Sequence, residues 1–182
     1  MLPKLKILDE KNKTLRIVSK EVTFPLDEKT KQTIQDALKY LELSQIEEYS
    51  NKYNLRPGMG LAFIQLGIPK RIFVIVDEVE DGVFEKYVMI NPRMVSHSEE
   101  EIYVEDGEGC LSINRPVEGI VPRYARSTFE AYDENGELFT YRVREDLSIA
   151  FQHELDHLNG ILFIDKIDQK NPYKNKNRMR AI

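Results

Sequence analysis

The sequence predicts an α+β fold: a single domain of mostly antiparallel sheet packed around one central helix. Three observations predict it. The 182 residues are 41% hydrophobic, enough for one substantial core and too few to expect two, so residues 1–182 are taken as one domain. A helical stretch is followed by strand candidates and then by a second helix, with no internal repeat or low-complexity segment. That second helix carries His153, Glu154, Leu155, Asp156 and His157, an H-E-x-x-H pentad suited to holding a metal.

From Leu26 to about Tyr53, Ile34, Ala37, Leu38 and Leu41 recur at helical spacing, predicting one long or broken amphipathic helix. Arg71 to Val76 is a short β-branched run, and Tyr87 to Ile90 forms a second strand that ends at Asn91-Pro92. Ser127 to Tyr132 is expected to pair with Leu138 to Val143 across Asn135-Gly136. The metal helix should run from about Asp146 to His157 and close near Gly160 after Asn159. Its Leu147, Ile149, Ala150 and Phe151 belong mostly to the core, with Ile149 and Ala150 close enough to His153 to be wall candidates.

On a helix, residues four apart lie roughly 6 Å apart along the axis and about 40° apart around it, so His153 and His157 project together as a two-nitrogen claw. Glu154 stands one step round from His153. It is too close for a comfortable third ligand but well placed to take a proton from a water held by the ion. With only three histidines in the chain, the pattern is hard to attribute to accident.

The third ligand decides which kind of H-E-x-x-H protein this is. The extended motif H-E-x-x-H-x-x-G-x-x-H matches as far as Gly160 but meets Phe163 where the last histidine should stand. From Leu158 to Ile182 the chain has neither Glu nor His, which removes a downstream glutamate and leaves Asp165, Asp168 or an upstream residue. His97 sits in a polar, charged stretch and reads as a surface residue. The chain's one cysteine, Cys110, is the better candidate, since a thiolate and two imidazoles suit Zn or Fe(II) with a fourth position open.

Three segments then resemble, in order, the motifs of the peptide deformylases: Gly58-Met59-Gly60-Leu61-Ala62-Phe63-Ile64-Gln65, Glu108-Gly109-Cys110-Leu111-Ser112 and Gln152-His153-Glu154-Leu155-Asp156-His157. Their flanks, Asn114-Arg115-Pro116 through Arg123-Tyr124-Ala125-Arg126, together with Leu15-Arg16 and Val22 to Pro25, resemble the longer, type 2 form of Gram-positive-like bacteria. The resemblance implies removal of the formyl group from the N-terminal methionine of newly made proteins, with release of formate. It also implies metal ligation by Cys110, His153 and His157, with Glu154 as the catalytic carboxylate. Oxyanion stabilisation falls to the Gln65 side-chain amide and the Leu111 backbone N–H, while Met59, Gly60 and Gly109 line the path of the substrate backbone. One Fe²⁺ per chain is the implied cofactor, with Zn²⁺, Ni²⁺ or Co²⁺ able to replace it. Phe63 departs from the family pattern, which commonly has alanine there. Its ring is expected to need smaller neighbours or a shift of the strand holding Gln65.

A formal net charge of −5 argues against general or sequence-specific nucleic-acid binding. No apolar run approaches membrane-spanning length, the N-terminus lacks a signal-like apolar core, and a lone cysteine suits a reducing compartment, so a cytoplasmic enzyme is expected. Lys170 to Ile182 carries Lys170, Lys174, Lys176, Arg178 and Arg180 without an acid. This basic tail at 170–182 reads first as frayed and solvated, and second as a ribosome-docking element. Two rival readings are a different metal-dependent amidase sharing the claw and a non-catalytic protein whose metal is structural.

Overall fold

A computed structural model describes residues 3–182. The first long helix, α1 (Glu28–Gln45), starts where Asp27 accepts a hydrogen bond from the Thr30 N–H at 2.8 Å, which satisfies one of the orphan donors at a helix start. Its apolar stripe of Ile34, Ala37, Leu38 and Leu41 is buried as the spacing requires. The helical stretch is broken rather than continuous. Ile46 is extended, and a short helix α2 (Glu47–Tyr53) follows and stops at Asn54 in the left-handed region. At the break, Ser44 Oγ accepts from the Gly58 N–H, and the Gln45 amide donates to the Gly58 and Val76 carbonyls. The end of α1 thereby fixes the start of the first sequence motif.

Five strands form one antiparallel sheet in the order β1 (Gly60–Ala62), β2 (Ile72–Glu80), β3 (Val83–His97), β6 (Arg126–Tyr132) and β7 (Leu138–Arg144). A smaller sheet has the order β5 (Arg123–Tyr124), β4 (Glu101–Tyr103), β8 (Arg180–Ala181), in which β4 and β8 are parallel. The expected end of the second strand at Asn91-Pro92 is overturned. β3 runs on to His97 through an irregularity between Ile90 and Arg93. Asn91, at φ 51°, bonds both the N–H and the carbonyl of Val22 through its side chain, so a break in the ladder is compensated by a neighbouring segment.

α3 (Glu145–Leu158) crosses the sheet as the central helix, with Phe151 fully buried. The Phe151 ring lies edge-on to Phe73, Phe129 and Tyr87, with centroids 5.2 to 5.5 Å away. Ordinary amphipathicity leaves one helix face wet, but here Ser148, Gln152, Glu154 and Asp156 are buried as well. Each buried polar group then demands a partner. The Gln152 side chain supplies one case, accepting from the Tyr124 N–H and donating to the Tyr124 carbonyl.

The basic tail is not frayed at its end. Arg180 and Ala181 pair with Ile102 and Tyr103, the Ile182 N–H donates to the Tyr103 carbonyl at 3.0 Å, and Arg180 pairs with Glu145 and Glu100. The acids that hold it lie 35 and 80 residues upstream, which a reading of the tail alone misses.

Candidate active site

The three expected ligands converge. One donor atom from each of Cys110, His153 and His157 lies within 4.8 Å of the others, and this is the one such group found among the described residues. Cys110 Sγ is 3.3 Å from His157 Nε2, and all three residues are buried. The alternatives are engaged elsewhere: Asp165 pairs with Arg16, and Asp168 pairs with Lys174. His97 is exposed, as expected of a surface residue, and stacks on Tyr124 with centroids 3.6 Å apart.

Cys110 does not come from a strand or strand edge. It sits in the irregular segment after β4, beyond Gly107 at φ 85°. Side chains fasten that segment. Arg123, 1% exposed, donates to Glu108 at 2.6 and 2.9 Å and to Asp156 at 2.6 Å, tying the cysteine segment to α3 through a buried charge bridge. Glu108 also accepts from His153 Nδ1 at 2.8 Å, which leaves Nε2 for a metal, the usual division of labour in a ligating histidine. Sequence reading left Glu108 and Asp156 unassigned although both lie inside the motifs. A carboxylate beside each ligand was the signal available.

The electrostatics follow from this burial. Burial alone would raise the Glu108 carboxyl, but the Arg123 charge overrides it and holds it at about 2. Burial pushes Glu154 up to about 7 and keeps His157 well below its usual range, neutral and able to ligate. Burial would lower His153 too, but its bonds to the Cys110 thiol and Glu108 dominate and raise it. Glu154 Oε2 and His157 Nδ1 are buried with no hydrogen-bond partner among the described residues. An orphaned carboxylate oxygen beside a thiol and two imidazoles is the donor set that a divalent cation with a reactive water would satisfy.

A cleft of about 340 Å³ opens on this cluster, lined by Met59, Gly60, Gln65, Gly109, Cys110, Leu111, Ile149, Ala150, His153 and Glu154 among others. A Cβ on Gly60 would stand 2.4 Å from Glu154 Oε1, so only glycine fits, whereas one on Gly109 would meet nothing within 4 Å. Close packing therefore does not require glycine at position 109. Gln65 is 1% exposed and lies in a 3-10 turn, Phe63–Leu66, where a strand was expected. Its Oε1 accepts from the Ala62 N–H at 2.9 Å, and its amide donates to Ser112 Oγ at 3.1 Å and to Cys110 Sγ at 3.7 Å. The Leu111 N–H has no acceptor among the described residues. Phe63 neither closes the cleft nor shifts Gln65 off it. Its side chain is fully buried, in the same core cluster as Ile34, Ala37, Leu38 and Leu41.

The sequence pattern of the polypeptide deformylase family matches residues 4–173. The chain belongs to the peptide deformylase family. It is 41% identical over 173 residues to the Peptide deformylase 2 of Bacillus anthracis, covering 95% of this chain and 94% of that protein. It is 45% identical over 176 residues to the peptide deformylase of Macrococcus caseolyticus, covering 96% and 95%. Among solved structures, the peptide deformylase of Thermotoga maritima superposes with a TM-score of 0.71 at 31% identity, covering 90% of this chain and 97% of that one. The Synechococcus elongatus enzyme, solved in complex with actinonin, superposes with a TM-score of 0.75 at 32% identity, covering 92% and 83%. Peptide deformylases are metal-dependent hydrolases that remove N-formyl groups from nascent peptides, and this chain is an enzyme of that family with a site able to hold the metal. No helix among the described residues is long and apolar enough to cross a membrane.

Proposed function

We propose that this chain removes the formyl group from N-formylmethionyl peptides, with Cys110, His153 and His157 holding one Fe²⁺ and Glu154 moving the proton. The observation that carries this reading is the convergence of those three donors beside a buried carboxylate whose Oε2 has no hydrogen-bond partner among the described residues. A structural metal site has no use for such a base, which disfavours the non-catalytic alternative.

A bound divalent cation supplies Lewis acidity that makes water nucleophilic near neutral pH. Glu154 takes the proton of the attacking water on its unpartnered Oε2 and returns it to the departing amine, whose release separates formate from the methionine N-terminus. The Leu111 N–H and the second Nε2–H of Gln65, the first being donated to Ser112 Oγ and the second making only a long contact to sulfur, are the donors this reading assigns to the oxygen that gains charge. Gly60, Met59 and Gly109 line the path of the peptide, and Gly60 brings its backbone against Glu154. The thiolate with two imidazoles suits iron or zinc; nickel and cobalt are the remaining alternatives, and elemental analysis after anaerobic purification decides among them. The reading places the enzyme in the cytoplasm, where nascent chains emerge. It includes ribosome docking through exposed cations such as Lys170 and Arg178, and unchanged co-sedimentation at low salt after reversing both charges would remove that part.

The deciding assay is formate release from formyl-Met-Ala-Ser by the wild type and by Glu154→Gln, with acetyl-Met-Ala-Ser as control. Release by the wild type alone, on the formyl substrate alone, is the expected result. Retained activity in the variant would overturn the proton role, and cleavage of unformylated peptides would favour a different amidase.

A further inference from the structure

We propose that Arg56, outside the metal-binding motifs and given no role by the sequence reading, is the positioning residue for the turn that carries Cys110 and the Leu111 N–H. Its Nη1 donates to the Leu111 carbonyl at 3.0 Å and to the Asn114 side chain, and its Nη2 donates to the carbonyls of Cys110 at 3.1 Å and Ile113 at 3.0 Å. A guanidinium has two N–H groups on each terminal nitrogen, so these four acceptors match its four terminal N–H groups.

The geometry of the peptide bond turns this clamp into a catalytic constraint. In a trans peptide the carbonyl of Cys110 and the N–H of Leu111 share one plane and point in opposite directions. Fixing that carbonyl therefore fixes where the Leu111 N–H aims, which is away from Arg56. The same holds for the Leu111 carbonyl and the Ser112 N–H, so the clamp also sets the backbone of the residue whose hydroxyl accepts from the Gln65 amide. Arg56 reaches the Leu111 N–H through the backbone and touches the Gln65 amide only at one remove, through the Ser112 side chain, without being an oxyanion donor itself, and it also anchors the peptide unit that bears the cysteine.

Side chains of the turn and its approach are held by Gln65, Asp9 and the Arg123 bridge, but among the described residues the carbonyls of Leu111 and Ile113 have no donor other than Arg56. The turn's own backbone supplies one bond, from the Ile113 N–H to the Cys110 carbonyl at 3.1 Å, and the N-terminal segment adds a bond from the Glu10 N–H to the Ser112 carbonyl at 2.8 Å. A lysine at position 56 keeps the charge but offers donors from a single nitrogen and cannot span four acceptors. The inference rests on the assignment of Leu111 to the site, and the test separates the two.

In Arg56→Lys and Arg56→Gln of the metal-loaded enzyme, amide exchange is followed at Ile113 and Glu10 against Phe129 in the large sheet, alongside kcat and KM for formyl-Met-Ala-Ser. Exchange at Ile113 and Glu10 is expected to accelerate by about tenfold or more without a matching rise at Phe129, while kcat falls about ten- to a hundredfold and KM stays nearly constant. Unchanged exchange, or an equal rise at Phe129, would overturn the clamp. A loss confined to KM would overturn it too, by making Arg56 a group that touches substrate. If the wild type released no formate, the functional reading would fail while the exchange comparison still judged the clamp.

Discussion

Replacing Gly60 with alanine adds a single methyl group 2.4 Å from Glu154 Oε1 and 2.8 Å from its Cγ and Cδ. That is about 1 Å short of ordinary van der Waals contact, so either β1 or the carboxylate has to move by that much. Glu154 is packed at 4% exposure on a helix with little freedom, and β1 is tied to β2 through Gly60, Leu61 and Ala62. Overpacking of this kind costs about 1 to 3 kcal/mol of stability. The larger effect is on catalysis, because a displacement of about 1 Å in the group proposed to move the proton lowers kcat by about a hundredfold. Steady-state formate release and thermal melting, measured on Gly60→Ala, Gly58→Ala and Gly109→Ala, separate the causes. At Gly58 the added atom meets the movable end of Leu111 at 2.8 Å, and at Gly109 it meets nothing. The expected order of kcat loss is Gly60 first, then Gly58, while Gly109→Ala melts like the wild type. A Gly60→Ala enzyme with kcat within threefold of wild type would refute the reasoning that Glu154's placement depends on that missing side chain.

Arg123→Met leaves Glu108 and Asp156 buried without their shared cation, and removing one partner of a buried bridge costs about 3 to 5 kcal/mol; an unshifted urea midpoint would contradict this. Deleting residues 180–182 strips β4 of its parallel neighbour and removes Ile182 from the cluster it shares with Ile102, Val104 and Ile149. Because Val104 and Ile149 line the cleft, KM should rise several-fold with kcat little changed, and an unaltered KM would count against it. The Asp27 carboxyl is held below its ordinary 3.8, chiefly by the Lys70 ammonium and then by the Thr30 N–H. A depressed folded value contributes stability that is present above the ordinary value and lost as pH falls through the lower folded one. Asp27→Asn should therefore narrow the stability gap to wild type below about pH 4 and leave kcat alone. A gap independent of pH would remove the argument.

The parts of the site that were legible in sequence are those set by local spacing. Two histidines four apart must share a helix face whatever surrounds them, and the apolar repeat from Ile34 to Leu41 buries the face it marks. Cys110 was reachable by elimination because the chain offers so few ligand types. Asn135-Gly136 gave the β6–β7 hairpin for the same reason, since Gly136 supplies the positive φ such a turn needs. The end of β3 was not legible. Asn91-Pro92 breaks a ladder locally, but Val22, nearly seventy residues away, repairs the break.

By itself, then, the sequence determined the chemistry: which groups are present, which share a face, and that one carboxylate adjoins one histidine. Only the tertiary structure decided how those groups are held. The Arg56 fork, the bridge from Glu108 through Arg123 to Asp156, the anchored C-terminus and the harmless burial of Phe63 all join segments far apart in the chain. Spacing encodes neighbours within a helix or strand, where the backbone sets the distance. A bond between distant segments exists only once the core has packed and fixed where each of them ends.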